Sequence, residues 1–135
     1  MKKILIILPV LFSLLFCGFG FAHKKPYAVL SSTRITDEFS DYKEIVFAQK
    51  QRIYFAVFAP EGFKYSGIRI QLSKQDEKTA NWGFSIVNTE DIYVTKGNNE
   101  FRNYVVAPTS GHYILQCFYL NNTRYPFIHR EFWVR

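Results

Sequence analysis

A chain of 135 residues is a common size for a single domain able to bury its own core. Its 17 basic and 11 acidic residues give a formal charge of +6. No basic run is longer than Lys2-Lys3 or Lys24-Lys25, which argues against a dedicated nucleic-acid surface. A mild attraction to anionic surfaces is as much as that balance supports.

Met1, Lys2 and Lys3 precede an apolar run from Ile4 to Phe21 that closes on Gly20-Phe21-Ala22. A basic start, an apolar centre and small residues at the third and last positions predict a secretory signal cleaved after Ala22. The expected product is one exported domain, residues 23–135, in the periplasm or secreted, with a net charge of about +4. Two other fates compete. The segment 4–21 could be retained as an anchor, although it is short for a span and holds Pro9. Alternatively Cys17, at the end of Leu14-Leu15-Phe16, could be lipidated, although Phe16 stands where bacterial lipoprotein signals need a small residue. Membrane contact is expected only in those two cases. Of the two cysteines, cleavage leaves Cys117 alone, so burial rather than a disulfide must hold the domain together.

The remaining chain reads as successive strands. Aromatic residues make up 19% of the whole sequence, and no segment of the remaining chain offers a sustained helical period. Tyr27 to Ser32 predicts a first strand, followed by a polar stretch, Thr36 to Tyr42, with room for one helical turn. Ile45 to Ala48 is short and apolar. Arg52 to Ala59 is apolar on both alternate sets, as a strand covered on both faces should be. Ala59-Pro60-Glu61-Gly62 has turn chemistry. Ile68 to Lys74 alternates, with Ile68, Ile70 and Leu72 on the core side. A polar loop follows from Lys74 to Asn81, and Trp82, Phe84 and Ile86 are expected to continue the core face. Asn88 to Asp91 breaks that pattern and Ile92 to Thr95 restores it. Phe101 to Val106, His112 to Leu120 and Phe127 to Val134 complete about eight strands, predicting an all-β antiparallel sandwich. Asn121-Asn122-Thr123 fits a glycosylation acceptor but also the turn expected between the last two strands.

Within the seventh of these, Ser110-Gly111-His112-Tyr113-Ile114-Leu115-Gln116-Cys117 resembles the corner of immunoglobulin-like domains, where Gly permits a tight bend and a buried Tyr hydroxyl reaches backbone at that bend. The departure is Cys117, four residues after Tyr113 instead of two and without a partner. The resemblance implies a sandwich of that general architecture and carries no function with it. Cys117 shares an alternate set with Tyr113, Leu115 and Tyr119, which predicts a small buried thiol.

No Gly-x-Ser-x-Gly elbow occurs, and Ser110 beside His112 reads as turn chemistry, so no catalytic residue is assigned. The expected function is a non-enzymatic binding or interaction domain of the bacterial cell envelope that presents sheet edges and loop aromatics to a protein or polymer partner. Tyr65, Trp82 and Tyr125 are its candidate contact residues. No cofactor is required by this reading. The first alternative is a small envelope copper carrier: cleavage after Ala22 would let the amine and ring of His23 chelate Cu(II), with His112 or His129 adding a further nitrogen. That terminus resembles the amino-terminal copper sites of small exported β-sandwich copper carriers and of copper oxygenases. The second alternative is a membrane-anchored structural component.

Overall fold

The computed structural model describes residues 24–36, 42–76 and 83–135. They form eight strands: β1 Tyr27–Ser31, β2 Val46–Phe47, β3 Arg52–Phe58, β4 Gly67–Gln75, β5 Phe84–Tyr93, β6 Glu100–Val106, β7 Gly111–Tyr119 and β8 Ile128–Val134. One sheet has the order β1-β3-β6 and the other β2-β8-β7-β4-β5. All pairings are antiparallel except the two-residue β2–β8 contact, Val46 to Trp133 and Phe47 to Val134, which is parallel. The all-β sandwich read from alternation, with the general architecture that the Ser110–Cys117 resemblance implied, is therefore the observed fold. Among the described residues there is no helix.

Alternation of period two explains the interior. β1 contributes Ala28 and Leu30, β3 Ile53, Phe55 and Val57, β4 Ile68, Ile70 and Leu72, β7 Tyr113, Leu115 and Cys117, and β8 Ile128, Phe132 and Val134 to one continuous core. Cys117 is fully buried there, as expected of a small apolar thiol. The opposite side of β3 is closed as well. Ile35, from the segment after β1, packs with Val29 and Ala56, and Tyr42 and Tyr54 lie against that cluster. Arg102 fastens this cover by donating from Nη1 to the carbonyls of Ile35 at 3.0 Å and Thr36 at 2.5 Å. β3 is thus covered on both faces, which accounts for its double apolar pattern.

The corner before β7 forms as its residues predict. Tyr113 is buried, and its hydroxyl donates to the Thr109 carbonyl at 2.7 Å. Gly111 has φ of 148°, and a Cβ there would stand 2.6 Å from Cε of Lys74. The Lys74 side chain could move aside, but side chains rarely adopt that positive φ, which explains why glycine occupies the bend.

β5 departs from expectation in two ways. It is one strand of ten residues, where two short ones separated by Asn88 to Asp91 were expected. Its pairing with β4 slips between Leu72 and Ser73, so that Asn88 faces Leu72 and Ile86 faces Ser73, with Val87 as the extra residue. This bulge inverts the phase of the strand's first half. Phe84 and Ile86 consequently share the outer face with Gln75 and Ser73, and Ile86 is 63% exposed. They are not core residues. The apolar members of β5 and its continuation that reach the core are Ile92 and Val94. Trp82 lies outside the described residues.

Candidate interaction surfaces

The outer face of the five-stranded sheet gathers aromatic and polar side chains in rows across the strands. Register places His112 beside Trp133, and Gln116 beside both Gln71 and His129. The rings of His112 and Trp133 stack at 4.7 Å with an interplanar angle of 4°, and Phe84 meets His112 edgewise at 5.6 Å. Gln75 Oε1 lies 3.0 Å from His112 Nδ1 and, as an acceptor, assigns the proton to that nitrogen in the neutral ring. Nε2 then carries the lone pair. It is buried and has no hydrogen-bond partner among the described residues. A carboxylate oxygen of Glu131 stands 3.8 Å away, and the other lies 3.6 Å from Nε2 of His129. A hollow of about 520 Å³ opens beside this group, lined by residues that include Gln75, Asp76, Val87, Ser110 and His112.

The second surface is the end of the sandwich built by the connections 59–66, 94–99 and 120–127. Backbone bonds tie these loops to each other and to strand ends: Phe63 N–H to Asn98 O at 2.9 Å, Ala59 N–H to Asn99 O at 2.7 Å, Val94 N–H to Ser66 O at 2.8 Å and Leu120 N–H to Gly67 O at 3.0 Å. Gly62 makes the closest of these approaches possible: its φ is 79°, and a Cβ would meet the Gly97 carbonyl oxygen at 2.9 Å. Tyr119 packs on Phe127 at 4.3 Å and against Tyr65 at 5.3 Å, and its hydroxyl accepts from the Lys64 N–H at 3.2 Å. Tyr65, Tyr93 and Tyr125 are exposed at 49%, 77% and 65%.

Of the residues singled out in the sequence, Tyr65 and Tyr125 therefore come to one end, where Tyr93 joins them. Tyr93 was missed because its strand was expected to break before it. His112 and His129 share the outer sheet face, on opposite sides of the Glu131 carboxylate. His23, Trp82 and Cys17 lie outside the described residues. Among the described residues no group of three His, Cys, Asp or Glu side chains is placed to hold a metal ion. Burial pushes the Cys117 thiol up to about 12, far from the range of an activated nucleophile. At the open β5 edge, Arg69 holds Asp91 in a two-bond pair, Nε to Oδ1 at 2.8 Å and Nη2 to Oδ2 at 3.0 Å, and the guanidinium keeps that carboxyl below its ordinary range.

No protein-family model matches the sequence, and a comparison with curated proteins finds no match. Among solved structures the chain is similar to a β-glucosidase from Kluyveromyces marxianus, seen in complex with glucose and in a selenomethionine-labelled form. Each is 14% identical with a TM-score of 0.42, over 87% of this chain and 15% of that one. The chain thus spans a small part of that enzyme's length, and likeness at this level bears on neither family nor activity.

Proposed function

We propose that the chain is a non-enzymatic binding domain exported to the bacterial cell envelope, and that it holds an extended protein or polymer partner on the outer face of its five-stranded sheet. The observation that carries this reading is the His112 ring. Fixed by Gln75 and stacked on Trp133, it keeps a buried Nε2 that makes no hydrogen bond among the described residues, with Glu131 3.8 Å away, beside an open hollow. A buried nitrogen left unpaired costs stability, about 1–3 kcal/mol, and a bound group that donates to it recovers that loss. Around it, Gln71, Gln75, Gln116 and Glu131 present amide and carboxylate groups on three neighbouring strands, a pattern suited to a partner rich in hydroxyl or amide groups. Among the described residues the adjoining edge strand β5 pairs on one side only, with β4, so its backbone can add pairing to side-chain contact.

The test is sedimentation of the purified chain with insoluble envelope polymer and with envelope membranes stripped of it. Retention of the parent, with loss in His112→Ala and Trp133→Ala at unchanged melting temperature, is the expected result. Retention by neither fraction, or retention indifferent to both substitutions, would sink the proposal.

A further inference from the structure

We infer that the loop end formed by residues 59–66, 94–99 and 120–127 docks on an anionic lipid surface. This end is separate from the partner face: it lies where β3 and β7 finish, whereas His112 and Trp133 sit near the start of β7 and the finish of β8.

Charge composition gives the first reason. The three connections carry Lys64, Lys96 and Arg124, and the approach to β1 adds Lys24 and Lys25, against Glu61 as their one carboxylate. These five cations are exposed. They are clustered as well. Lys64, Lys96 and Tyr65 line one shallow hollow of about 320 Å³, and Lys24, Lys25 and Lys64 line a neighbouring one of about 410 Å³ whose floor includes Tyr119 and Phe127. The nearest strand acids are engaged, Asp91 by Arg69 and Glu100 by Arg102 at 3.5 Å. Each such cation is attracted to an anionic membrane, and the attraction falls off within a Debye length of about 10 Å.

Aromatic composition gives the second. Tyr65, Tyr93 and Tyr125 are exposed side chains of this end, with Tyr27 at the start of β1 a fourth, each an apolar ring with a polar tip. Such rings settle at the headgroup level of a bilayer. The guanidinium of Arg124 lies 5.6 Å from the Tyr125 ring centre, so cation and aromatic are presented together. The loops are pinned by backbone bonds, so little ordering is needed on contact.

The third reason is where the chain enters. β1 begins at Tyr27, paired with Phe58 at this same end. Phe21, the last residue of the long apolar run, precedes Lys24 by only three positions in the sequence. If that run sits in a bilayer, the loop end is the part of the domain held against the lipid. A partner on the outer sheet face would remain accessible in that orientation.

The experiment reconstitutes the full chain in nanodiscs of phosphatidylcholine alone or of an equal mixture with phosphatidylglycerol, and measures hydroxyl-radical labelling of individual tyrosines. Labelling of Tyr65, Tyr93 and Tyr125 is expected to fall several-fold in the anionic discs while Tyr104, 43% exposed in the middle of β6, is unchanged. The combined K64E, K96E and R124E variant should lose that protection without a change in melting temperature. A second variant, Tyr65→Ser with Tyr125→Ser, should lose it in part. Equal labelling in the two lipids, protection that survives charge reversal, or protection that appears only when a soluble acidic protein or polysaccharide is added would overturn the assignment.

Discussion

β7 and β5 look alike as sequence, each an alternating run with aromatics, yet they hold opposite positions in the same sheet. β7 lies between β8 and β4, and its Tyr113, Leu115 and Cys117 are fully enclosed under the three-stranded sheet. Among the described residues β5 pairs only with β4, and eight of its ten residues are exposed. On the side of β5 that faces inward the register sets Glu90 against Ile70 and Asn88 against Leu72, where a covering sheet would demand apolar groups. Glu90 instead accepts from Asn103 of β6 at 3.5 Å. The difference shows that alternation establishes a strand, whereas the neighbours above it establish which alternate set is buried. The bulge at Val87 and the charges Glu90 and Asp91 also make β5 a poor template for indiscriminate edge pairing.

The contrast is broken most severely at Leu115. Leu115→Ala should destabilise the domain by about 2–5 kcal/mol through lost burial and the cavity left behind, and Ile70→Ala on the facing strand should do the same. Denaturant unfolding measures both, and a loss under about 1 kcal/mol at Leu115 would mean β7 is not enclosed as described. Tyr113→Phe comes next. It keeps the ring and leaves the Thr109 carbonyl without its donor, at a cost of about 1–2 kcal/mol in the same measurement. No change would show that the corner does not depend on that bond.

The buried thiol sharpens the comparison through pH. Its folded value is pushed up from 9.0 to about 12 by burial. Below 9.0 both states keep the proton. Between 9.0 and about 12 the unfolded chain loses a proton that the folded chain retains, so stability falls as pH rises across that window. Cys117→Ala should remove this portion of the alkaline loss while leaving the neutral-pH melting profile only modestly lowered. Parallel stability curves for parent and variant up to pH 12 would contradict an enclosed thiol.

The smallest effects belong to β5. Phe84→Ala should cost less than about 1 kcal/mol, since the ring rests on the outer face against His112, and Ile86→Thr should be near neutral. Losses at Phe84 equal to those at Leu115 would erase the distinction between the strands. The pair of substitutions also separates stability from binding, because Phe84→Ala is expected to weaken retention of an envelope partner through loss of its contact with His112.

Much of the architecture was legible because period two is a local property. Ile68, Ile70 and Leu72 alternate with Arg69, Gln71 and Ser73 and are the core side of β4 as read. The double apolar pattern of β3 was legible for the same reason, and the Gly111–Tyr113 corner because a bend and a buried hydroxyl restrict residue choice within four positions. The candidate surfaces were less so. Tyr65 and Tyr125 were visible as loop aromatics, but Tyr93 had no signal of its own, being the last residue of a strand whose polar centre hid its continuity. His112 and His129 were read only as a further nitrogen beside His23 in the copper alternative. That both flank Glu131, and that Trp133 stacks on one of them, follows from the β7–β8 register.

By itself the sequence determined that this protein is a set of about eight short strands, most with one wet and one dry face and one apolar on both, without a disulfide if Ala22 ends a signal, and with turns where Gly, Pro and Asn stand. Those properties depend on side-chain volume, backbone freedom and polarity within a few residues. Only the tertiary structure decided that β5 overhangs the sandwich, that one bulge turns Phe84 and Ile86 outward, and that three loops distant along the chain meet to join Tyr65, Tyr93 and Tyr125 with Lys64, Lys96 and Arg124. The reason is physical: which strand covers which, and which loops share an end, are set by pairing between residues tens of positions apart, and no local pattern encodes them.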